Sequence, residues 1–293
     1  MSGTLRMQDT SPVAGGEFAF TWADFHRIAR IVHAESGIVL GENKANLVYS
    51  RLAKRLRKAG LESFHDYCEL VQREDGADER QAMIAAMTTN VTRFFREAHH
   101  FALLEKTVLP PLLEHAKKGG RVRLWSSACS SGEEAYSMAL TILGLMPEAG
   151  EHDILILASD LDPNMLERAE LGAYTAAQVE PIPAELRRRW LAPAKGDGTM
   201  DFEVTAPVRK LVRFRDLNLL DPWPMRSRFD IIFCRNVMIY FDDETQNAIW
   251  MRFAKALEPD GVLCIGHSER IPASLPFELV GQTSYRRCGG DAK

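Results

Sequence analysis

From Arg121 onward, short apolar runs alternate with amphipathic segments, and this alternation most constrains the fold of the chain. The β-rich runs are RVRLWS, DILILASD, KLVRFRDL, FDIIFCRN and GVLCIGHS, and helical segments such as GEEAYSMALTILGLM, PNMLERAELG and ETQNAIWMRFAKALEP lie among them. Strands that alternate with helices predict a parallel sheet with helices on both faces. The last piece, FELVGQTSYRRC, predicts an antiparallel hairpin about Gly281. An α/β domain is therefore expected.

The segment from Phe18 to Met87 has a helical period and shows no strand signal. Its four helical stretches are ADFHRIARIVHAESG, NKANLVYSRLAKRLRKAG, SFHDYCELVQ and DERQAMIAAM. Gly37 and Gly60 end the first two, as glycine often does. The second stretch carries basic residues opposite its apolar face: Arg51, Lys54, Arg55 and Lys58. These residues form either a solvated surface or one that attracts an acidic partner.

One connection, at about residues 172–210, is longer than a crossover between parallel strands needs. It contains EPIPAELRRRWLAP, the turn-rich KGDGT and the strand-like DFEV. It is either a passive excursion or a small antiparallel subdomain with a helix. The predicted organisation is a flexible tail at 1–17, a helical domain at 18–87, a linker at 88–101, the α/β domain at 102–288 and a tail at 289–293.

Composition excludes several classes of protein. The 293 residues carry a formal net charge of −4, and no apolar run approaches the length of a membrane span. The N-terminal residues do not have the pattern of a signal peptide. The scattered cysteines form no C-x-x-C, so neither disulfides nor a zinc site is expected and the cytoplasm is the expected compartment. They are Cys68, Cys129, Cys234, Cys264 and Cys288.

The loop after the first predicted strand, WSSACSSGEEAYS, is a candidate ligand site, because ligands of open α/β sheets bind beyond the carboxyl ends of the strands. It has one glycine, and it lacks the G-x-G-x-x-G, P-loop and G-x-S-x-G motifs. Glu133 and Glu134 would repel a phosphate. They either favour the helix dipole, or one of them binds a ligand that is cationic or rich in donors.

The second predicted strand ends in SDLDPNML, which holds two aspartates. Asp162 precedes Pro163 and suits a helix N-cap. Asp160 then stands at the strand tip, where an acid binds the two hydroxyls of a ribose in nucleoside-binding folds, although a structural role is the alternative.

Two further strand ends carry polar candidates. Asn218 and Leu219, in RDLNLLD, are suited to contact an adenine by hydrogen bonding and packing. Arg235 and Asn236 follow FDIIFC, where Asn236 alternatively caps the local structure. The strand ends thus offer an acid suited to bind ribose hydroxyls but no phosphate-binding loop. This combination favours a nucleoside without phosphates as the ligand, and S-adenosylmethionine fits that description.

The motifs together resemble the CheR family of chemotaxis receptor methyltransferases. The matching pieces are TTNVTRFFREAHHF, SSACSSGEEAYSMA, ASDLD, LNLL, FDIIFCRNVMIYFD and PDGVLCIGHSE, in family order. The resemblance implies a class I S-adenosylmethionine-dependent methyltransferase domain, Rossmann-like, with a small β-subdomain insert and a preceding all-α domain. The implied reaction methylates glutamate side chains on the cytoplasmic helices of chemoreceptors. Ala135 stands where many relatives have proline.

The resemblance also implies site residues. Cofactor contacts carry over to Asn90, Thr92, Arg96, Glu134, Asp160, Asn218, Leu219, Arg235 and Asn236. Arg96 and Tyr240 match the residues nearest to methyl transfer. The basic face of the second helix is expected to bind the acidic receptor helices. The expected protein is a cytoplasmic monomer that binds neither metal nor nucleic acid and does not insert into the membrane.

Two alternatives remain open from the sequence. An RNA methyltransferase would use the basic helix to bind phosphates, although the chain is slightly acidic and shows no aromatic stacking platform. A non-catalytic regulator that binds an adenosyl group is the other, and the intact Arg96, Asp160, Asn236 and Tyr240 argue against it. Some family members also dock on a receptor C-terminal peptide through the β-subdomain, which here contains KGDGT.

Overall fold

The computed structural model describes residues 11–13, 16–195 and 198–289. The chain forms two compact units whose boundary lies between Thr89 and Asn90, and the short segment Tyr240–Asp242 belongs to the first unit. Among the described residues, no helix is both long and apolar enough to cross a membrane.

The first unit is all helical, as predicted. Its helices are α1 (Trp22–Ser36), α2 (Ala45–Ala59), α3 (Phe64–Gln72) and α4 (Ala77–Met87). Thr21 and Asp24 form a capping box at the start of α1. Gly37 and Gly60 end α1 and α2 in the left-handed conformation, with φ of 72° and 68°. The apolar faces pack into one core that includes Phe25, Ile28, Val48, Leu52, Leu56 and Phe64.

The chain is ordered before the predicted domain boundary at Phe18. The Val13 N–H donates to the Phe20 carbonyl at 2.8 Å, and Arg57 on α2 pairs with Glu17 at 2.6 Å. These contacts place Val13 and Glu17 against the helical unit, and the flexible tail at 1–17 stays a prediction. Residues 1–10, 14, 15 and 290–293 lie outside the described part of the chain.

The second unit alternates strands and helices. In chain order its elements are α5 (Ala98–Leu103), α6 (Leu109–Lys117), β1 (Val122–Ser127), α7 (Glu133–Leu145), β2 (Ile154–Asp160), α8 (Pro163–Leu171), β3 (Ala173–Tyr174), α9 (Ala176–Val179), α10 (Ala184–Trp190), β4 (Leu191–Pro193), β5 (Phe202–Val204), α11 (Ala206–Leu211), β6 (Val212–Asp216), β7 (Phe229–Cys234), α12 (Asp243–Ala256), β8 (Leu257–Ile265), β9 (Phe277–Gly281) and β10 (Ser284–Arg287). Every predicted strand and helix of this half is present.

A seven-stranded sheet has the order β6-β2-β1-β7-β8-β10-β9. The five strands from β6 to β8 are parallel, and β10 is antiparallel to both β8 and β9, which forms the predicted terminal hairpin. The order reverses between β1 and β7, so the carboxyl ends of these strands are where an open α/β sheet binds ligands.

The long connection is a small antiparallel subdomain, as one of the two interpretations predicted. Its strands have the order β3-β5-β4, with α9 and α10 between β3 and β4. The strand predicted from Lys210 instead begins at Val212, because Pro207 starts the short helix α11 directly before it. Two residues of the KGDGT turn, 196 and 197, lie outside the described residues.

The sequence did not predict the helical segment from α5 to α6. A π-helical turn, Leu104–Val108, joins these helices. Pro110 and Pro111 follow in the first turn of α6. Proline removes an N–H and crowds the carbonyl four residues before it, so a wider turn accommodates the pair without ending the helix. Phe101, Leu104 and Leu113 pack from this segment into the core of the α/β unit.

Candidate active site

The loop between β1 and α7 curls tightly beyond the sheet. Ala128, Ser130 and Gly132 all have positive φ, of 58°, 50° and 93°. A Cβ on Gly132 would lie 2.9 Å from the Ala169 Cβ, so only glycine fits there without a shift of α8. The loop therefore presents its backbone beyond β1.

Asp160 is buried at the tip of β2 and organises two loops. One carboxylate oxygen accepts the Ser130 N–H at 2.7 Å, and the other accepts the Asp162 N–H at 2.9 Å. Burial raises the pKa of Asp160 to about 6. Each carboxylate oxygen has two lone pairs, so accepting one N–H each is compatible with accepting ribose hydroxyls as well. The structural role considered as the alternative is thus present.

Asp162 caps α8, as the sequence predicted, and also holds Asn90. Its Oδ1 accepts the Asn164 N–H at 3.0 Å, and its Oδ2 accepts the Asn90 side-chain amide at 2.9 Å. The Ser130 hydroxyl donates to the Asn90 carbonyl at 3.0 Å. Asn90 therefore lies beside the β1 and β2 loops. Phe94 is buried and packs against Tyr174.

Arg235, directly after β7, is the centre of a buried polar cluster. Its Nε donates to Glu134 at 2.6 Å, and its NH1 donates to the Arg96 carbonyl and approaches His100 Nδ1 at 3.2 Å. The other Glu134 oxygen accepts the Ser126 hydroxyl at 2.7 Å. Glu134 is thus paired with a cation inside the protein, and both ends of this ion pair are fixed in place.

His100, on α5, is fully buried. Burial lowers its pKa to about 3, so the imidazole is neutral. Nδ1 accepts from Arg235, and Nε2 lies 3.0 Å from the Thr283 hydroxyl. Its role in holding Arg235 had no signal in the sequence beyond its place beside the Phe94–Phe95 pair.

Glu97, His99 and His100 bring three possible metal-ligand atoms within 4.8 Å of one another. The Arg235 NH1 lies 3.8 Å from Glu97 Oε2. A guanidinium this close would repel a cation, so we assign no metal to these residues.

Asn236 has positive φ (60°) and sits against Gly266 at the end of β8. A Cβ on Gly266 would lie 2.5 Å from the Asn236 Nδ2. The buried Asn236 Oδ1 has no hydrogen-bond partner among the described residues. Buried polar atoms are nearly always satisfied, so this oxygen fits a ligand that donates a hydrogen bond.

Glu269 was not recognised in the sequence as a site residue, although it closes the motif PDGVLCIGHSE. Its buried carboxylate accepts the N–H groups of Val237 and Met238 at 2.8 Å each, and also that of Gly266. It therefore ties the loop after β7 to the loop after β8. An acid in a loop gives no sequence signal for such a role.

Of the remaining predicted cofactor residues, Asn218 and Leu219 follow the carboxyl end of β6, and Arg96 and Thr92 lie in the segment before α5. Leu219 is buried, and the Asn218 Oδ1 accepts the Leu220 N–H at 3.0 Å. Arg96 is half-buried, and its NH1 donates to the Val91 carbonyl at 2.8 Å. Thr92 is also half-buried.

Tyr240 belongs to the helical unit, whereas all the predicted cofactor residues belong to the α/β unit. Its carbonyl accepts the Val39 N–H at 2.8 Å, and its side chain packs against the core of that unit.

The four basic residues of α2 differ in their exposure and contacts. Arg55 makes a bidentate ion pair with Glu79 on α4. Arg51 donates to the Ala86 and Thr88 carbonyls at 3.1 and 2.8 Å. Lys54 and Lys58 are exposed. The two arginines thus form hydrogen bonds with α4 and the residue after it, whereas the two lysines are exposed, and the expected binding of acidic receptor helices stays a prediction.

Comparison with known proteins assigns the two units. The sequence model described as "CheR methyltransferase, SAM binding domain" matches residues 90–286, and "CheR methyltransferase, all-alpha domain" matches residues 23–88. The chain belongs to the CheR methyltransferase family. The α/β unit is accordingly a class I methyltransferase domain that uses S-adenosylmethionine, and the resemblance seen in the sequence is confirmed.

Relatives match nearly the whole chain. A probable chemotaxis protein methyltransferase of Rhizobium etli is 48% identical and covers 87% of this chain and 96% of its own. Chemotaxis protein methyltransferase 2 of Pseudomonas aeruginosa is 42% identical, covering 94% and 97%. The chemotaxis protein methyltransferase of Escherichia coli is 40% identical, covering 91% of each chain.

The residues at the sheet edge fit the cofactor of the CheR family. Asp160 offers carboxylate oxygens of the kind that bind ribose hydroxyls, and Asn236 offers an acceptor without a partner. The lack of a phosphate-binding motif in the β1 loop suits a nucleoside without phosphates, while Glu134 is paired with Arg235 and adds no free negative charge there.

Proposed function

We propose that this CheR-family protein transfers the methyl group of S-adenosylmethionine to glutamate side chains on chemoreceptor cytoplasmic helices, giving glutamyl methyl esters. The observation that carries this proposal is the match of both units to the family, with relatives named chemotaxis protein methyltransferases aligned over nearly their whole length. An RNA methyltransferase is not favoured, because the matching family model and the relatives reported above are those of chemotaxis protein methyltransferases.

The site residues that support this chemistry bind and orient rather than exchange protons. Bound S-adenosylmethionine supplies a methyl group on a sulfonium, which a carboxylate attacks directly. A glutamate is already ionised at pH 7, so it needs alignment and the removal of water, and no general base. His100 is neutral, buried and held by Arg235. Burial raises the pKa of the Cys129 and Cys234 thiols well above their usual range, which leaves them unreactive.

Arg96 is the proposed orienting residue. Its backbone carbonyl is held by Arg235 and its guanidinium donates to the Val91 carbonyl, so the side chain is anchored at the sheet edge. A guanidinium has five donors, which leaves several for an incoming carboxylate. Tyr240 remains the second proposed residue at methyl transfer, on the basis of the sequence resemblance.

The exposed lysines of α2 are the proposed contact for acidic receptor helices. Lys54 and Lys58 are exposed on one face, one turn apart. Arg51 and Arg55 add positive charge to that face while holding α4. We also propose that the protein acts as a monomer in the cytoplasm.

The test uses methyl-labelled S-adenosylmethionine with receptor-containing membranes and, separately, with total RNA. The products are treated with mild alkali, which releases methyl esters as volatile methanol. Label in a receptor-sized band that leaves as methanol supports the proposal. Label that stays on RNA overturns it, and label on protein that resists mild alkali excludes a carboxyl ester.

A further inference from the structure

The loop at residues 217–223 carries Asn218 and Leu219 beyond the carboxyl end of β6. Its first N–H, from Leu217, donates to the Asp160 carbonyl at 3.0 Å, so the loop begins beside the proposed ribose acid. The Asn218 side chain then accepts the Leu220 N–H at 3.0 Å. These bonds fix the start of the loop and leave the carbonyls that follow to be satisfied by other groups.

Arg252, on α12, binds three consecutive carbonyls of this loop. Its NH1 donates to the Leu219 carbonyl and, at 3.2 Å, to the Leu220 carbonyl, while NH2 donates to the Asp221 carbonyl. Only the planar fork of a guanidinium reaches three acceptors spread in this way. A lysine ammonium has three donors, but they all arise from a single nitrogen.

Trp223 completes this arrangement. The Arg252 guanidinium lies over the Trp223 ring, 4.1 Å from its centroid, and the indole N–H donates to the Leu219 carbonyl at 3.2 Å. The ring packs edge-on against Trp125 of β1 at 4.8 Å and lies tilted against Phe253 of α12 at 5.0 Å. The Leu219 carbonyl therefore has two half-buried donors, and the ring of one of them packs against the buried Trp125 and Phe253.

We propose that Arg252 is a positioning residue that holds the Asn218–Leu219 loop in the conformation that recognises the adenine of the cofactor. This inference rests on the proposed cofactor role of Asn218 and Leu219. Arg252 itself bonds the backbone of the loop and not the ligand. Its effect is therefore on affinity for the cofactor and on the choice of base, and not on the transfer step.

The experiment measures binding of S-adenosylhomocysteine and of S-inosylhomocysteine, its 6-oxo analogue, by calorimetry. The proteins are the full chain, Arg252→Lys, Arg252→Ala and the control Lys255→Ala, which changes an exposed cation on the same helix. Methyl transfer is measured at increasing S-adenosylmethionine, and the melting temperature of each variant is recorded. Arg252→Lys keeps the charge and removes the fork, so it separates geometry from charge.

We expect both Arg252 variants to bind S-adenosylhomocysteine about tenfold more weakly, the size expected for lost hydrogen bonds to a charged group. The preference for adenine over hypoxanthine falls, the KM for S-adenosylmethionine rises and kcat at saturation stays within about twofold. Lys255→Ala behaves as the unaltered protein. A purely structural role for Arg252 would lower the melting temperature without changing the ratio of the two affinities.

Unchanged affinity in Arg252→Ala would overturn the inference, and so would an equal loss of affinity for both ligands. If the unaltered protein binds both bases equally, the claim of base recognition is also wrong. Failure of the unaltered protein to bind S-adenosylhomocysteine would instead overturn the cofactor site itself. Failure of the Arg252 inference is therefore distinguishable from failure of the proposed cofactor site.

Discussion

Asp160 shows how burial prepares one residue for a ligand. The carboxylate lies at the tip of β2, accepts the Ser130 and Asp162 N–H groups, and has a pKa raised to about 6 by burial. Ribose hydroxyls donate hydrogen bonds, so they bind the ionised form better. The protein thus holds an acid that a nucleoside ligand would stabilise in its charged form.

The pH dependence of cofactor binding is the first prediction. A ligand that needs the Asp160 carboxylate binds fully above pH 6, and its Kd rises toward tenfold per pH unit as the pH falls below 6. Calorimetry with S-adenosylhomocysteine between about pH 5 and 7.5 measures this slope. Asp160→Asn should bind weakly with a flat profile. The same slope in both proteins would show that another group titrates.

The second prediction concerns Arg96. Arg96→Ala removes the guanidinium proposed to orient the glutamate carboxylate, so turnover should fall by about two orders of magnitude or more. Affinity for S-adenosylhomocysteine and the melting temperature distinguish loss of orientation from loss of binding or folding. Arg93→Ala, an exposed arginine three residues earlier, is the matched control. Near-normal turnover of Arg96→Ala would exclude this role.

At the scale of elements, the loops after β7 and β8 depend on one buried acid. Glu269 accepts N–H groups from Val237, Met238 and Gly266, which come from both loops. Asn236, at positive φ, begins the first of these loops. The position of a proposed cofactor residue is thus set by a side chain more than thirty residues away in the sequence.

Glu269→Ala is the third prediction. It leaves three buried N–H groups without an acceptor, so the free energy of unfolding should fall by about 3 kcal/mol or more. Urea denaturation measures the change. The control is Glu278→Ala, at an exposed position of β9, where a change within about 0.5 kcal/mol is expected. Equal stability of the two variants would mean that the loops find other acceptors.

The elements themselves followed from the sequence, with informative exceptions. The helices of the first unit and the strands of the sheet have strong periods and clear stops such as Gly60, and they lie where predicted. The segment from α5 to α6 was missed, since Pro110 and Pro111 interrupt its pattern and tertiary packing of Leu104 and Phe101 compensates for them. The strand β6 begins at Val212 and not at Lys210, because Pro207 starts the short helix α11 directly before it.

At the scale of the whole molecule, the basic residues of α2 divide into those that are exposed and those that bond to other parts of the helical unit. Lys54 and Lys58 are exposed, whereas Arg55 is paired with Glu79 and supports the helical unit. Exposed charges act at longer range and are screened by salt. The two lysines are therefore suited to attract an acidic helix, and the arginines are not interchangeable with them.

The fourth prediction tests this division. Lys54→Glu with Lys58→Glu should slow methylation of receptor membranes about tenfold at low salt, with the difference shrinking as salt rises. Affinity for S-adenosylhomocysteine should not change. Arg55→Ala should instead reduce stability, because it leaves the Glu79 carboxylate without its cation. Methylation by the double variant that equals the unaltered rate would remove these lysines from the receptor contact.

Hydrophobic period, helix stops and the residue after each strand can be read along the chain. These local features were enough to predict the helical unit, the parallel sheet and the strand ends that carry Asp160, Asn218, Arg235 and Asn236. The pairing of Glu134 with Arg235, the pairing of Arg55 with Glu79 and the bonds of Glu269 and Arg252 to distant loops emerged in the folded chain alone. Such partners lie far apart in the sequence, and which donor meets which acceptor is fixed only when burial requires every polar group to be satisfied.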